Sequence, residues 1–161
     1  MKITDAENII HFHIREVRDA PCSISHHLNK KGGLIIHLNN VMNLAKEFFA
    51  DDETLQAMAL IHDVGKSRTY KIDNGEIRYV SDIDHVFHTI DMIKEAGYDL
   101  TEEERNAILL HHGGFTDPKP TKMCELCIKL HMCDHLSTVR EQWHDMMIWY
   151  SFGKQRPVLV D

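Results

Sequence analysis

The sequence predicts an all-α protein interrupted by one small β-hairpin over about residues 68–80. Apolar residues recur at helical spacing through most of the chain, as in Leu34, Leu38, Val41, Leu44, Ala45 and Phe48. Only RTYKIDNGEIRYV departs from that period, with two short β-prone runs flanking Asp73-Asn74-Gly75. A length of 161 residues, without repeats, low-complexity tracts or linkers, fits one domain with a single sizeable core. Residues 1–161 are therefore expected to form one unit.

Each element has its own signal. Residues 4–18 alternate apolar and charged positions as an amphipathic helix does. PCSISHHLNKKGG (21–33) opens on proline and closes on paired glycines, which marks a loop. A helix follows over 33–50, and Asp51 or Asp52 can cap the next one, which runs through LQAMALIHD. Gly65 then allows the chain to turn away. After the hairpin, HVFHTIDMIKEAG (85–97) returns to helix, with Gly97 placed to end it. Thr101 and Glu104 form a capping box for a helix through ILLHH. GGFTDPKP (113–120) is a loop, and Thr121 can cap a long helix over 122–143. The tail, 144–161, carries Trp149, Tyr150 and Phe152 and is expected to pack on the body or on a partner.

Composition sets bounds on function. A formal net charge of −7 argues against a broad basic surface for duplex nucleic acid. No apolar run approaches the roughly 20 residues of a membrane span, and the N-terminal segment lacks the apolar core of a signal peptide. A cytoplasmic location follows as the expectation, with Cys22, Cys124, Cys127 and Cys133 reduced. Cys124 and Cys127 have the i, i+3 spacing of one helix face and read as core packing rather than half of a zinc site.

Histidine is in excess, at 13 residues, which raises the expectation of metal or acid–base chemistry. His37 lies inside LIIHLNNV, His62-Asp63 ends AMALIHD, and His85 begins HVFHTIDMI. His111-His112 ends AILLHH, and Asp134 lies inside KLHMCDHL. Each interrupts an apolar stripe, where an uncompensated ionisable group costs several kcal/mol. One shared divalent centre would satisfy the imidazole nitrogens and carboxylate oxygens together. Mixed N/O donors suit Mn, Fe, Co, Ni or Zn better than calcium. The adjacent His62 and Asp63 can serve two ions, with Asp63 bridging them.

The ordered set His37 … His62-Asp63 … Asp134 resembles the HD-domain metal-dependent phosphohydrolase superfamily. HDVGK looks like its HD-[I/V]-G-K segment, and HHLNKKGGLIIH is similar to the HH-x4-GGL-x2-H segment of the HD domain in bacterial 3′→5′ exoribonucleases. ILLHHGG and LHMCDHLST resemble later segments of that group, so the likeness covers about residues 21–140. It implies a compact HD-domain helical bundle that cleaves a phosphoester of a nucleotide or short oligonucleotide through metal-activated hydroxide. His37, His62, Asp63 and Asp134 match the core ligands. His85 or His88, and His111 or His112, match those of a second ion. The implied cofactor is one or two divalent transition metals, with Mg also open.

By the same resemblance Asp63 and Lys66 are the candidate catalytic pair, Lys66 lying at the scissile phosphate. His26 and His27 match a histidine pair at the pocket rim, where they contact phosphate or cap the loop. His88 and Arg68 are further candidates for substrate contact, and His131 for orienting a ligand. The exoribonucleases carry a nucleic-acid-binding OB domain that these residues do not, and the GYP signature of cyclic-dinucleotide members is replaced by GGFTDPKP. The expected partner is therefore a small phosphorylated substrate, with homo-oligomerisation left open. Two alternatives share the ligand pattern: a di-iron HD-type oxygenase and a non-catalytic HD ligand-binding or sensor module.

Overall fold

Helix α4 (Glu53–Ile61) is buried from Leu55 to Ile61, so the other elements pack around it. A helix buried on every side has no solvent face and belongs at the centre of a core. The computed structural model describes residues 1–113 and 122–152, the side chains of 145–152 aside. Helices α1 (Ile3–Phe12) and α3 (Gly33–Phe48) pack on α4, and the long α8 (Glu125–Phe152) lies across α3 and α7 (Glu102–Leu110). Ile9, Leu34, Leu38, Leu55, Met58, Ile61, Met92, Ile93, Ile108 and Leu130 fill the space between them. Among the described residues no helix is long and apolar enough to cross a membrane.

The single helix predicted over 4–18 is broken at His13. That residue leaves helical geometry, its ring donates to the Met92 carbonyl, and the chain resumes as α2 (Ile14–Val17). Asp52 is the cap of α4, its side chain accepting from the Leu55 amide at 3.0 Å. The helix stops at Ile61, so His62 and Asp63 lie in the turn beyond it. A short α5 (Lys66–Thr69), not foreseen in the sequence, leads into the hairpin β1 (Tyr70–Asp73) and β2 (Glu76–Tyr79). Its two-residue turn places Asn74 and Gly75 at φ 51° and 84°, the twist that matches the flanking strands.

Helix α6 (His85–Glu95) is capped by Asp84 and followed by Gly97 at φ 86°, and α7 begins with the Thr101–Glu104 capping box. Helix α8 starts at Glu125 rather than 122. Cys124 caps it, its sulfur accepting from the Cys127 amide at 3.4 Å, while Cys127 enters the core. The helix continues to Phe152, through the first part of the segment read as a tail. The 114–120 part of the predicted loop, Thr121 and residues 153–161 lie outside the described residues.

Candidate metal centre

Helix ends build this site. Asp63 sits in the turn after α4, and that turn is clamped to α6 by Thr89. The Thr89 hydroxyl donates to the His62 carbonyl and accepts from the Gly65 amide. Gly65 has an ordinary helical φ of −62°, so the turn itself does not require glycine. The close approach does: a Cβ there would stand 2.0 Å from the His85 carbonyl oxygen and 2.5 Å from the Thr89 nitrogen. Glycine is needed here for space and not, as the sequence suggested, to let the chain turn away from the helix.

Around Asp63 stand two sets of groups. Its Oδ2 lies 3.6 Å from His37 Nε2 and 3.4 Å from His62 Nε2, and Asp134 Oδ1 is 3.1 Å from the same His37 nitrogen. Its Oδ1 lies 3.1 Å from His85 Nε2 and 3.4 Å from His111 Nε2, with His112 close by. Asp63 therefore belongs to two groups able to hold a cation: His37, His62, Asp63 and Asp134, and Asp63, His85, His111 and His112. Ligands about 2.1 Å from a common ion are separated by about 3.0–3.4 Å, and these spacings are close to that.

The outer ring nitrogens fix the tautomers. His62 Nδ1 donates to the Ala59 carbonyl, and His111 Nδ1 donates to that of Ile108. His37 Nδ1 faces the Glu141 carboxylate at 3.1 Å, and His85 Nδ1 faces Asp84 at 2.8 Å. With the proton held on Nδ1, each neutral ring presents a lone pair at Nε2. Those lone pairs face carboxylate oxygens, which are also acceptors. Accordingly Nε2 of His37, His62, His85 and His111, and both oxygens of Asp63, are buried without a hydrogen-bond partner among the described residues. Acceptors converging on one point require a cation, either a proton, as on His62, or a divalent transition ion, which this donor set fits.

The electrostatics carry the same signature. Burial opposes charge on His62, but Asp63 and Asp134 outweigh it and raise its pKa to about 10. Burial also opposes the Asp63 carboxylate, yet Lys66, His62 and His111 hold it well below the usual range. Lys66 Nζ stands 2.5 Å from Asp63 Oδ2 as an ion pair, without the alignment of a hydrogen bond. Burial is again outweighed, chiefly by Asp63, and the ammonium stays charged. His112 is pushed down to about 3 by burial and by His111 beside it.

The remaining candidates fall in different places. His27 is buried against His37, their ring centroids 5.0 Å apart, whereas His26 is exposed. His88 is drawn off by Ser81 at 2.8 Å and is not in either cation-holding group. Arg68 is spent on Glu16 and Glu95, each at 2.8 Å or less, and the structure does not bring it to the centre. His131 donates to the His111 carbonyl at 2.6 Å, so it steadies the end of α7. Glu141, Asp84 and Thr89 were missed. For Glu141 a signal existed: Asp134, Ser137 and Glu141 share one face of α8, and Ser137 and Asn40 each donate to Glu141 at 2.8 Å.

A family model, the HD domain, matches residues 34–139. No curated protein and no solved structure matches the chain.

Proposed function

The chain belongs to the HD-domain family, and from that premise we propose that it is a metal-dependent phosphohydrolase acting on a nucleotide or a short oligonucleotide end. The observation that carries the reading is Asp63, a fully buried carboxylate with one oxygen turned to each histidine set. In this reading His37, His62, Asp63 and Asp134 hold one ion, and Asp63, His85, His111 and His112 hold a second. Bound there, such ions supply Lewis-acid charge that polarises a phosphoryl oxygen and lowers the pKa of water.

The chain's own groups do the rest. Lys66, held protonated beside Asp63, donates to a non-bridging phosphoryl oxygen as charge builds on it. Asp63 orients the attacking water, and its own position is fixed by the Thr89 clamp on the turn. The cavity beside His85 is lined by Tyr70, Tyr79, Ile83, Asp82 and Asp84. It offers aromatic and acceptor groups to the part of the substrate beyond the phosphate. The resemblance of HHLNKKGGLIIH and ILLHHGG to exoribonuclease segments favours an oligonucleotide end, and the acidic net charge of −7 favours a short one.

The test is a substrate screen with Mn, Co, Ni and Mg against nucleoside mono-, di- and triphosphates, cyclic nucleotides and short oligonucleotides. Metal-dependent cleavage of at least one class is expected, and it should disappear in Asp63→Ala. No cleavage with any metal, or oxygen-dependent turnover with bound iron instead, would overturn the proposal.

A further inference from the structure

We propose that Cys22, His27 and Glu141 form a separate metal site that takes a thiophilic divalent ion of the zinc class. All three lie outside the residues matched by the family model, 34–139; the resemblance gives His27 a place at the pocket rim but assigns nothing to Cys22 or Glu141. The loop before α3 folds back on itself to pair the first two. The Cys22 amide donates to the Leu28 carbonyl, the Ser23 hydroxyl donates to the His27 carbonyl, and Leu28 adopts φ 48°. Cys22 Sγ and His27 Nε2 are thereby held 3.2 Å apart. Helix α8 adds Glu141, whose Oε2 is 3.6 Å from the same His27 nitrogen.

These spacings suit an ion. A tetrahedral zinc centre separates its sulfur and nitrogen ligands by about 3.6 Å, and nitrogen and oxygen by about 3.4 Å. Cys22, His27 and His37 also place ligand atoms within 4.8 Å of one another, with His37 turning its Nδ1 edge to Glu141 on this side. His27 is over nine-tenths buried, and one ring nitrogen, Nε2, faces both the Cys22 sulfur and the Glu141 carboxylate. Burial pushes the Cys22 thiol up, so the ion displaces its proton on binding. A groove of about 440 Å³, lined by Leu28, Asn40, Ser137, Arg140 and Glu141, reaches the Glu141 carboxylate from the α8 side.

Donor chemistry separates the two centres. The Asp63 centre offers nitrogen and oxygen alone, whereas this site adds a sulfur, which selects softer ions. Glu141 also supports His37, so the new site borrows a carboxylate from the old one.

The experiment is titration of the full chain with Cd²⁺ in excess Mn²⁺, following the ultraviolet thiolate-to-cadmium charge-transfer band. The band should saturate at one Cd²⁺ per chain, persist in Cys124→Ser and vanish in Cys22→Ser. His27→Gln should weaken Cd²⁺ binding by roughly tenfold or more, the scale of losing a group that serves a metal. Absence of the band in the unsubstituted protein, or its persistence in Cys22→Ser, overturns the proposal. Should Cys22→Ser fail to fold, unchanged Cd²⁺ affinity in His27→Gln overturns it independently.

Discussion

Asp63 concentrates the chemistry of the molecule in one side chain, because both of its oxygens are buried and face imidazole nitrogens. Asp63→Ala is expected to cut metal affinity by more than about 100-fold, beyond the loss typical of an outer partner. Helicity by circular dichroism should change little. Glu141 acts one step out, through His37. Glu141→Gln should cost about 10–100-fold in metal affinity, with cleavage recovered at higher metal; equal loss of turnover at saturating metal would place Glu141 elsewhere. The pKa of His62, raised to about 10, sets a pH dependence. In the metal-free protein this ring is protonated at neutral pH, so an ion must displace a proton. Metal affinity should therefore rise with pH, by up to about tenfold per unit for each proton displaced. A flat profile between about pH 6 and pH 9 would exclude His62 as a ligand. For stability the sign is opposite. The contribution of His62 is complete below its ordinary 6.5 and is lost as pH climbs through about 10.

Among the elements, the α4–α6 junction governs the site. Gly65→Ala sets a Cβ against the His85 and Thr89 backbone and must push α6 away. A loss of about 1–3 kcal/mol is expected in chemical denaturation, together with lower metal stoichiometry, since His85 moves with α6. Gly75→Ala is the contrasting case. Its Cβ meets nothing, but its φ of 84° disfavours any side chain. It should cost about 1–2 kcal/mol and leave metal content unchanged. The helices with strong local signals, α3, α4, α6 and α7, were legible because caps and apolar periods act within a few residues. The break at His13 was not, because the ring's partner, Met92, is distant in sequence. The start of α8 at Glu125 was likewise hidden, since Cys124 is held by Asn106 of α7.

For the whole molecule, the centre ties together α3, α6, α8 and the ends of α4 and α7. An ion bound there adds a further link to the apolar core and to the hydrogen bonds of Thr89, Glu141 and His131 that already join these elements. Metal at about 100 times its Kd should add about 2.7 kcal/mol to the unfolding free energy, read as a rise in Tm that chelation reverses. If two ions are held, His85→Ala should remove one and leave the other, by elemental analysis of the purified variant. Unchanged stoichiometry would point to a single ion.

The sequence by itself determined the helical class, the hairpin and its turn, and the candidate groups, because each rests on local periodicity or on residue chemistry. His37, His62, Asp63, His85, His111 and Asp134 could all be named from the way they interrupt apolar stripes. Only the tertiary structure decided which of them meet and through which atoms. Hydrogen bonds from Nδ1 to distant or backbone partners turn four Nε2 lone pairs inward. The same packing separated His85 from His88, sent Arg68 to Glu16 and Glu95, and brought Glu141 to both His37 and His27. Direction in space is a property of packed helices, and spacing along the chain does not contain it.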